Sequence, residues 1–343
     1  MKRGFSFSVT VVVSTIVFIY YCTVFVFIDR WLGLMTSPGI MNAVAFTGVA
    51  FMCVLNYAFS IFADPGRVPS SFMPDIEDPE VSIHEIKRKG GDLRFCQKCS
   101  CFKPPRAHHC RVCKRCILRM DHHCIWINNC VGHANYKVFF VFVVYAVIAC
   151  IYSLVLLVGS LTNDSHNDKQ QSADSFRMAY VISGLLLVPL SVALSVLLGW
   201  HIYLILQNKT TIEYHEGVRA MWLAEKGGNV YKHPYDLGAF ENLTTVLGPS
   251  IFCWICPISR HIVHGFAITI FYYDEGFLGA VATHTWLHDS HNGSVVTRIH
   301  VASDVGFGTT SMVQIWSSGV MFVLGFSFVC RFTMLSIGGS DCD

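Results

Sequence analysis

The chain has 343 residues, of which 53% are hydrophobic and 14% charged, with 25 Lys or Arg against 23 Asp or Glu. Soluble domains carry about a quarter charged residues, so this composition excludes an ordinary soluble protein and points to a membrane protein. The net charge of +2 says little by itself, and with no groove-reading helix or alternation of basic and aromatic residues, nucleic acid is a poor reading of the partner. Met1-Lys2-Arg3 precedes an uncharged run from Gly4 to Ile28. As a helix this run is long enough to cross about 30 Å of hydrocarbon, and it lacks the small-residue cleavage site of a secretory leader. Asp29-Arg30-Trp31 ends it. A second uncharged run from Trp31 to Ala63, broken near its start by Pro38-Gly39, predicts a helix over about 40–62. Asp64-Pro65-Gly66 stops that helix in a turn. Residues 67–92 read as loop or a short surface helix.

The next stretch, Cys96 to Cys130, holds eight of the 15 cysteines and four histidines. The pattern Cys-x2-Cys-x9-His-x6-Cys occurs in it twice, as Cys96, Cys99, His109, Cys116 and as Cys110, Cys113, His123, Cys130. The two copies interleave at an offset of fourteen positions. Each supplies three thiolates and one imidazole, the donor set of a closed structural zinc site, and Cys-x2-Cys lets one turn present two sulfurs to one ion. The alternative is a disulfide framework, which the recurring histidines and the absence of a small secreted domain disfavour.

The same offset isolates one sulfur. Cys96 and Cys110 each begin a zinc set, so Cys124 should begin a third, but its partner position holds Ile127. Cys124 is therefore a thiol beside a zinc ligand with no metal assigned to it. Cys101 is also unassigned but has no adjacent histidine. With His123 on zinc, Asp121-His122-His123-Cys124 has the parts of an activated nucleophile. His122 can take the thiol proton, and Asp121 can orient the imidazole. The alternative reading makes Cys124 a spare or substitute ligand.

A third apolar run predicts a span over about 138–161, starting eight residues after Cys130, so Cys124 lies near the membrane surface. Trp126 suits that interface, or else packs on the zinc domain. Residues 162–178 read as a short polar loop carrying the glycosylation acceptor pattern Asn163-Asp164-Ser165. A fourth span covers about 179–206, with Pro189 expected to kink it and His201, near its end, read as an interfacial or packing residue rather than a ligand. Thr210-Thr211-Ile212-Glu213 reads as a helix start with a hydroxyl cap and an acid in the first turn. Pro234, Gly238 and Gly248 mark turns beyond it. Lys2, Arg3 and the basic loop between the second and third spans place that loop on the cytosolic side, where thiols stay reduced. Cys22, Cys53 and Cys150 read as small membrane-core residues, whereas Cys253, Cys256 and Cys342 are candidates for lipidation.

The Asp121-His122-His123-Cys124 quartet within its cysteine-rich frame resembles the DHHC protein S-acyltransferases, or palmitoyltransferases, and allows a plant-like member. The resemblance covers residues 9 to about 262. It implies that Cys124 takes a long acyl chain, palmitoyl, from acyl-coenzyme A and passes it to a cysteine of a protein substrate. It also implies metal ligation at the same eight positions that the internal repeat selects. Asp64-Pro65-Gly66 matches the family's motif after the second span. Thr210, Thr211 and Glu213 match its Thr-Thr-x-Glu motif, in which a Thr contacts the catalytic Asp. Tyr235, Gly238 and Asn242 match its aromatic-Gly-Asn element, which supports the core.

The fold expected is therefore an all-α polytopic membrane protein with four transmembrane helices and room for a fifth, plus a small loop-rich cytosolic domain binding two zinc ions. Its segments are 1–63 with spans one and two, 64–137 with the zinc core 96–130, 138–206 with spans three and four, 207–262, and a divergent tail 263–343. Cofactors are two structural Zn(II), with acyl-coenzyme A as donor substrate. Partners are membrane lipids, cytosol-facing proteins with membrane-proximal cysteines, and no nucleic acid. The location is a Golgi, endoplasmic reticulum or plasma membrane. Between Asp92 and Asp121 lie eight Lys or Arg and no acid. Part of this charge offsets the zinc thiolates, and the rest suits coenzyme A phosphates or anionic lipids. In the tail, Met312–Cys330 is just long enough to span a membrane, against the alternative of a tail that does not fold. The rival function is a catalytically silent membrane-anchored zinc scaffold. A transporter is disfavoured because the four spans carry no Asp, Glu, Lys or Arg.

Overall fold

The structure, a computed structural model, describes residues 6–69, 72–73, 94–166, 170–226, 233–251, 254–256, 266–271, 281–288 and 295–302. Four of its helical stretches are long and apolar enough to cross a membrane: Phe7–Leu32, Ser37–Phe62, Tyr136–Asn163 and Arg177–Leu206. Val44, Phe51, Val155 and Leu185 on these spans are exposed, as lipid-facing residues should be. The described chain is mostly helical, with a small Cys/His-rich domain between the second and third spans. It is an integral membrane protein of the architecture expected.

The first span is α1 (Phe7–Cys22), a π-helical turn (Thr23–Ile28) and α2 (Asp29–Leu32). Side chains that enter the backbone ladder distort it locally. Thr23 Oγ1 donates to the Ile19 carbonyl at 2.7 Å and lies 2.6 Å from Ser153 Oγ on the third span, both residues being buried. α3 (Ser37–Phe62) begins earlier than Pro38-Gly39 suggests. Thr36 caps it, and Pro38 falls in the first turn, where its missing N–H costs nothing. Gly39 is needed there: a Cβ would sit 2.0 Å from the Gly33 carbonyl oxygen.

α4 (Tyr136–His166) packs against α3 and against α5 (Gln170–Leu206), with Pro189 inside the latter. These helices take up most of the polar stretch expected as a loop. Residues 162–178 hold no Gly or Pro, so nothing ends the helices where the apolar residues end. Asn163 is helical, and its amide donates to the Arg30 carbonyl at 2.9 Å. Cys22, Cys53 and Cys150 are buried in the helical core.

α6 (Thr211–Lys226) and α7 (Ala239–Leu247) follow the last span. Further on, Phe266–Phe271, Val281–His288 and Val295–Ala302 form a three-stranded antiparallel sheet, in a part of the tail where the sequence suggested only apolar and polar stretches. Their many β-branched residues, Ile268-Thr269-Ile270 and Val295-Val296-Thr297 among them, suit strands. Most of residues 67–92, together with Cys253, Cys342 and the run Met312–Cys330, lies outside the described residues.

Candidate active site

Three short hairpins build the small domain. β1 (Phe95–Cys96) pairs β2 (Cys101–Phe102), β3 (His108–Cys110) pairs β4 (Arg115–Ile117), and β5 (His122–Cys124) pairs β6 (Asn129–Val131). The fourteen-residue offset is the repeat of this hairpin. Each turn holds one left-handed residue at the same place: Ser100 (φ 51), Lys114 (φ 54) and Asn128 (φ 49). His109 faces Cys116, and His123 faces Cys130. Each metal set therefore joins the Cys-x2-Cys turn of one hairpin to the His/Cys pair of the next.

In the first set, His109 Nδ1 lies 3.5, 3.2 and 3.8 Å from the sulfurs of Cys96, Cys99 and Cys116. In the second, His123 Nδ1 lies 3.6, 3.4 and 3.6 Å from those of Cys110, Cys113 and Cys130. Tetrahedral Zn with bonds of about 2.3 Å to sulfur and 2.0–2.1 Å to nitrogen sets such donors roughly 3.5 Å apart. Both clusters fit a zinc ion.

Cys124 occupies the strand position that Cys96 and Cys110 use for metal. Its would-be partner Ile127 is fully buried, α4 rather than another such hairpin comes directly after β6, and neither metal set includes Cys124. Cys101 faces Cys96 across β1–β2 and also stays out of both sets.

The Cys124 sulfur hydrogen-bonds His122 and accepts the backbone N–H groups of Ile127 and Trp126. His122 Nδ1 is 2.6 Å from Asp121 Oδ2. The fully buried Asp121 also accepts from Thr211 N–H at 2.9 Å and Thr211 Oγ1 at 2.8 Å. Burial alone would raise the Asp121 carboxyl, but His122 and the Thr211 N–H hold it well below the usual carboxylate range. Burial alone would lower His122, but Asp121 and the Cys124 sulfur push it up to about 10. Burial opposes ionising Cys124, and the His122 charge with the two N–H groups still lowers the thiol. These directions favour a thiolate beside an imidazolium.

Membrane-span residues surround that sulfur. Cys124 shares a buried cluster with Tyr57 and Ile61 of α3 and Phe139, Phe140 and Val143 of α4. The Tyr57 hydroxyl donates to the Trp126 carbonyl at 2.8 Å, fixing the turn that supplies the N–H groups. Trp126 is 46% exposed. Asn129 clamps the hairpin to the membrane helices by donating to the carbonyls of Ser60, Ile61 and Ala63 at 3.1, 3.2 and 2.9 Å. Those are carbonyls that the end of α3 leaves without helical partners.

The two threonines divide their work. Thr211 holds Asp121, whereas Thr210 caps α6: its Oγ1 accepts from Glu213 N–H at 3.2 Å, and Glu213 Oε2 accepts from Thr210 N–H at 2.9 Å. Glu213 also grips Arg106 of the zinc domain, with 2.6 and 2.8 Å contacts. Arg106 further donates to Asn208 Oδ1 and the Asn208 carbonyl, and its guanidinium lies 4.3 Å from the Tyr235 ring centroid. Buried Asn242 donates to the Leu206 carbonyl at 2.8 Å and to Asp236 at 2.7 Å, so the aromatic-Gly-Asn element caps the end of α5.

Arg106, Asn208, Asn129 and Tyr57 carry no assignment in the sequence analysis. Asn208 had a signal: Asn directly after an apolar helix suits a left-handed stop, and its φ is 48. Glu213→Gln leaves Arg106 buried without its counter-charge and should cost about 3–5 kcal/mol, read as a lowered thermal midpoint. Arg106 overrides burial to hold Glu213 at about 2 against an ordinary 4.5. The stabilisation is complete above that ordinary value and fades as pH falls toward the depressed one, so wild type and variant should converge in acid.

A family model for DHHC palmitoyltransferase matches residues 89–218. "Probable protein S-acyltransferase 16" of Arabidopsis thaliana is 72% identical over 268 residues, which is 77% of this chain and 94% of that protein. The chain belongs to the DHHC palmitoyltransferase family. "Probable protein S-acyltransferase 15" of the same plant is 48% identical over 240 residues, 70% of this chain and 92% of that protein. "Palmitoyltransferase ZDHHC15" of Rattus norvegicus is 30% identical over 203 residues, 57% of this chain and 58% of that protein. This palmitoyltransferase is thus an enzyme that moves fatty acyl groups onto protein cysteines, and nothing observed favours the silent scaffold.

Proposed function

We propose that Cys124 carries the acyl group, with His122 as its proton partner and Asp121 as the group that orients and charges His122. The observation that carries this reading is a sulfur outside both metal sets, bonded to a histidine that a buried carboxylate grips at 2.6 Å. The donor is a long-chain acyl-coenzyme A. The Cys124 thiolate attacks its thioester carbonyl; the new sulfur–carbon bond forms, and the bond to the coenzyme A sulfur breaks. The departing thiolate takes the proton from His122. In the second step a substrate cysteine gives its proton to His122 and attacks the acyl group on Cys124, which leaves as thiolate. One thioester is exchanged for another, so direction follows the concentrations of donor and substrate.

The span residues around Cys124 support an acyl chain lying between the helices, where each buried methylene contributes about 0.8 kcal/mol. The two zinc ions, held by Cys96, Cys99, His109, Cys116 and by Cys110, Cys113, His123, Cys130, would supply structure, since each set already gives four ligands. The lysines and arginines around the zinc core suit the phosphates of coenzyme A and anionic headgroups, on a cytosolic face of a Golgi, endoplasmic reticulum or plasma membrane. Substrates are proteins whose cysteines sit close to that surface.

The test is a pulse and chase. Enzyme briefly exposed to labelled palmitoyl-coenzyme A and freed of donor should carry a hydroxylamine-sensitive label. That label should move to a membrane-anchored peptide with a cysteine at the headgroup level. A label that leaves only to water, or a peptide labelled without prior loading of the enzyme, would defeat the two-step reading.

A further inference from the structure

His201 lies in the fourth span, is 1% exposed, and has no part in the mechanism above. Burying a polar imidazole among apolar helices is unfavourable unless its nitrogens find partners, so a residue kept only for packing would be apolar. One partner is plain: His201 Nδ1 is 2.9 Å from the Tyr136 hydroxyl at the start of α4. Tyr136 is buried, and its hydroxyl has no other partner among the described residues. A buried phenol gives its proton to whatever acceptor it has, so Tyr136 donates and Nδ1 accepts. The remaining ring proton of neutral His201 then sits on Nε2.

The ring also lies beside the active site. A nitrogen of His201, a carboxylate oxygen of Asp121 and a nitrogen of His122 lie within 4.8 Å of one another. With Nδ1 committed to Tyr136, the Nε2–H group is the one left for the Asp121–His122 pair. The rings also pack: His122 to His201 is 5.9 Å between centroids at 37°, His122 to Phe139 is 5.5 Å at 73°, and Phe139 to His201 is 5.3 Å at 73°. His122 is thereby confined by one apolar ring and one polar ring, both on membrane helices.

We propose that His201 is a positioning residue for acyl transfer, orienting the Asp121–His122 pair through its Nε2–H group while Tyr136 fixes its tautomer. The inference rests on the reading of Cys124, His122 and Asp121 given above. Its function is geometric: it keeps the Asp121-bound imidazole turned so that the opposite nitrogen meets the Cys124 sulfur. It touches neither donor nor substrate. Small misplacements of a reacting pair cost rate far more than binding.

The experiment compares His201→Phe, His201→Gln and Tyr136→Phe in detergent-purified full-length enzyme. Zinc content and thermal midpoint are recorded beside the kinetics of autoacylation by palmitoyl-coenzyme A. His201→Phe keeps a ring and loses the N–H; its kcat should fall about tenfold or more while KM for the donor stays within about twofold. His201→Gln retains an N–H donor and should recover most of that rate. Tyr136→Phe should lower kcat less, and combined with His201→Phe it should cause no further loss, because both act through one group. Wild-type kcat in His201→Phe, a Gln variant as slow as the Phe variant, or KM changing in step with kcat would each overturn the proposal. If neither His201 variant folds with two zincs, Tyr136→Phe decides, and an unchanged kcat there overturns it. Failure of the underlying reading looks different: acylation then survives in Cys124→Ser.

Discussion

Cys124→Ser should abolish autoacylation and all transfer to substrate while leaving two zinc ions per chain. The reasons are geometric and chemical. The sulfur stands outside both metal sets, so its loss removes no ligand. Serine keeps the size and a hydrogen-bonding group, but its hydroxyl ionises far less readily than a thiol that His122 and the Ile127 and Trp126 N–H groups already favour as thiolate. Any slow ester formed on serine would also resist hydroxylamine at neutral pH. Metal analysis and gel detection of the label on the same preparation separate the outcomes. A variant that loses a zinc ion while some acylation persists would make Cys124 a ligand and exchange the roles assigned here.

Cys113→Ser should do the reverse. It removes a ligand from the turn of β3–β4, leaving a site of two sulfurs and one imidazole in place of the Cys110, Cys113, His123 and Cys130 set. Zinc content should fall from two ions to about one per chain, since a structural site draws of order 10 kcal/mol from its complete ligand set. That metal ties the β3–β4 turn to His123 and Cys130, the facing pair of β5–β6. Because His122 and Cys124 flank His123 on β5, autoacylation should drop by about a hundredfold or more although every reacting group is present. Cys101→Ser is the control, because that sulfur belongs to neither set and its loss should leave the zinc count at two. Full activity in Cys113→Ser with one zinc would show that the second site does not frame the nucleophile.

The sequence carried the repeat because metal ligation writes itself into spacing. The offset of fourteen became a repeated hairpin, and subtraction along it singled out Cys124. Spans were legible from apolar length alone. Their ends were less so, because a helix stops where its backbone is interrupted, not where its apolar residues end. Pro38 therefore sits inside a helix, and the polar residues around Asn163 remain helical. The supports of the site were mostly hidden. Thr211 meets Asp121 across 90 positions and Arg106 meets Glu213 across 107, and no local pattern encodes such pairs. Resemblance pointed to a Thr contact without saying which Thr. His201 reads as packing because one histidine in an apolar run carries no spacing. Only the approach of α4 and α5 gives it Tyr136 on one side and the Asp121–His122 pair on the other.

The central claim is that one sulfur, kept off the metals and held by His122, carries the acyl group. The most direct measurement is mass spectrometry of peptides from enzyme quenched in acid moments after exposure to palmitoyl-coenzyme A. The account predicts the acyl mass on the peptide containing Cys124, absent from those containing Cys101 or Cys256. An acyl group found on another cysteine while Cys124 stays unmodified would contradict it.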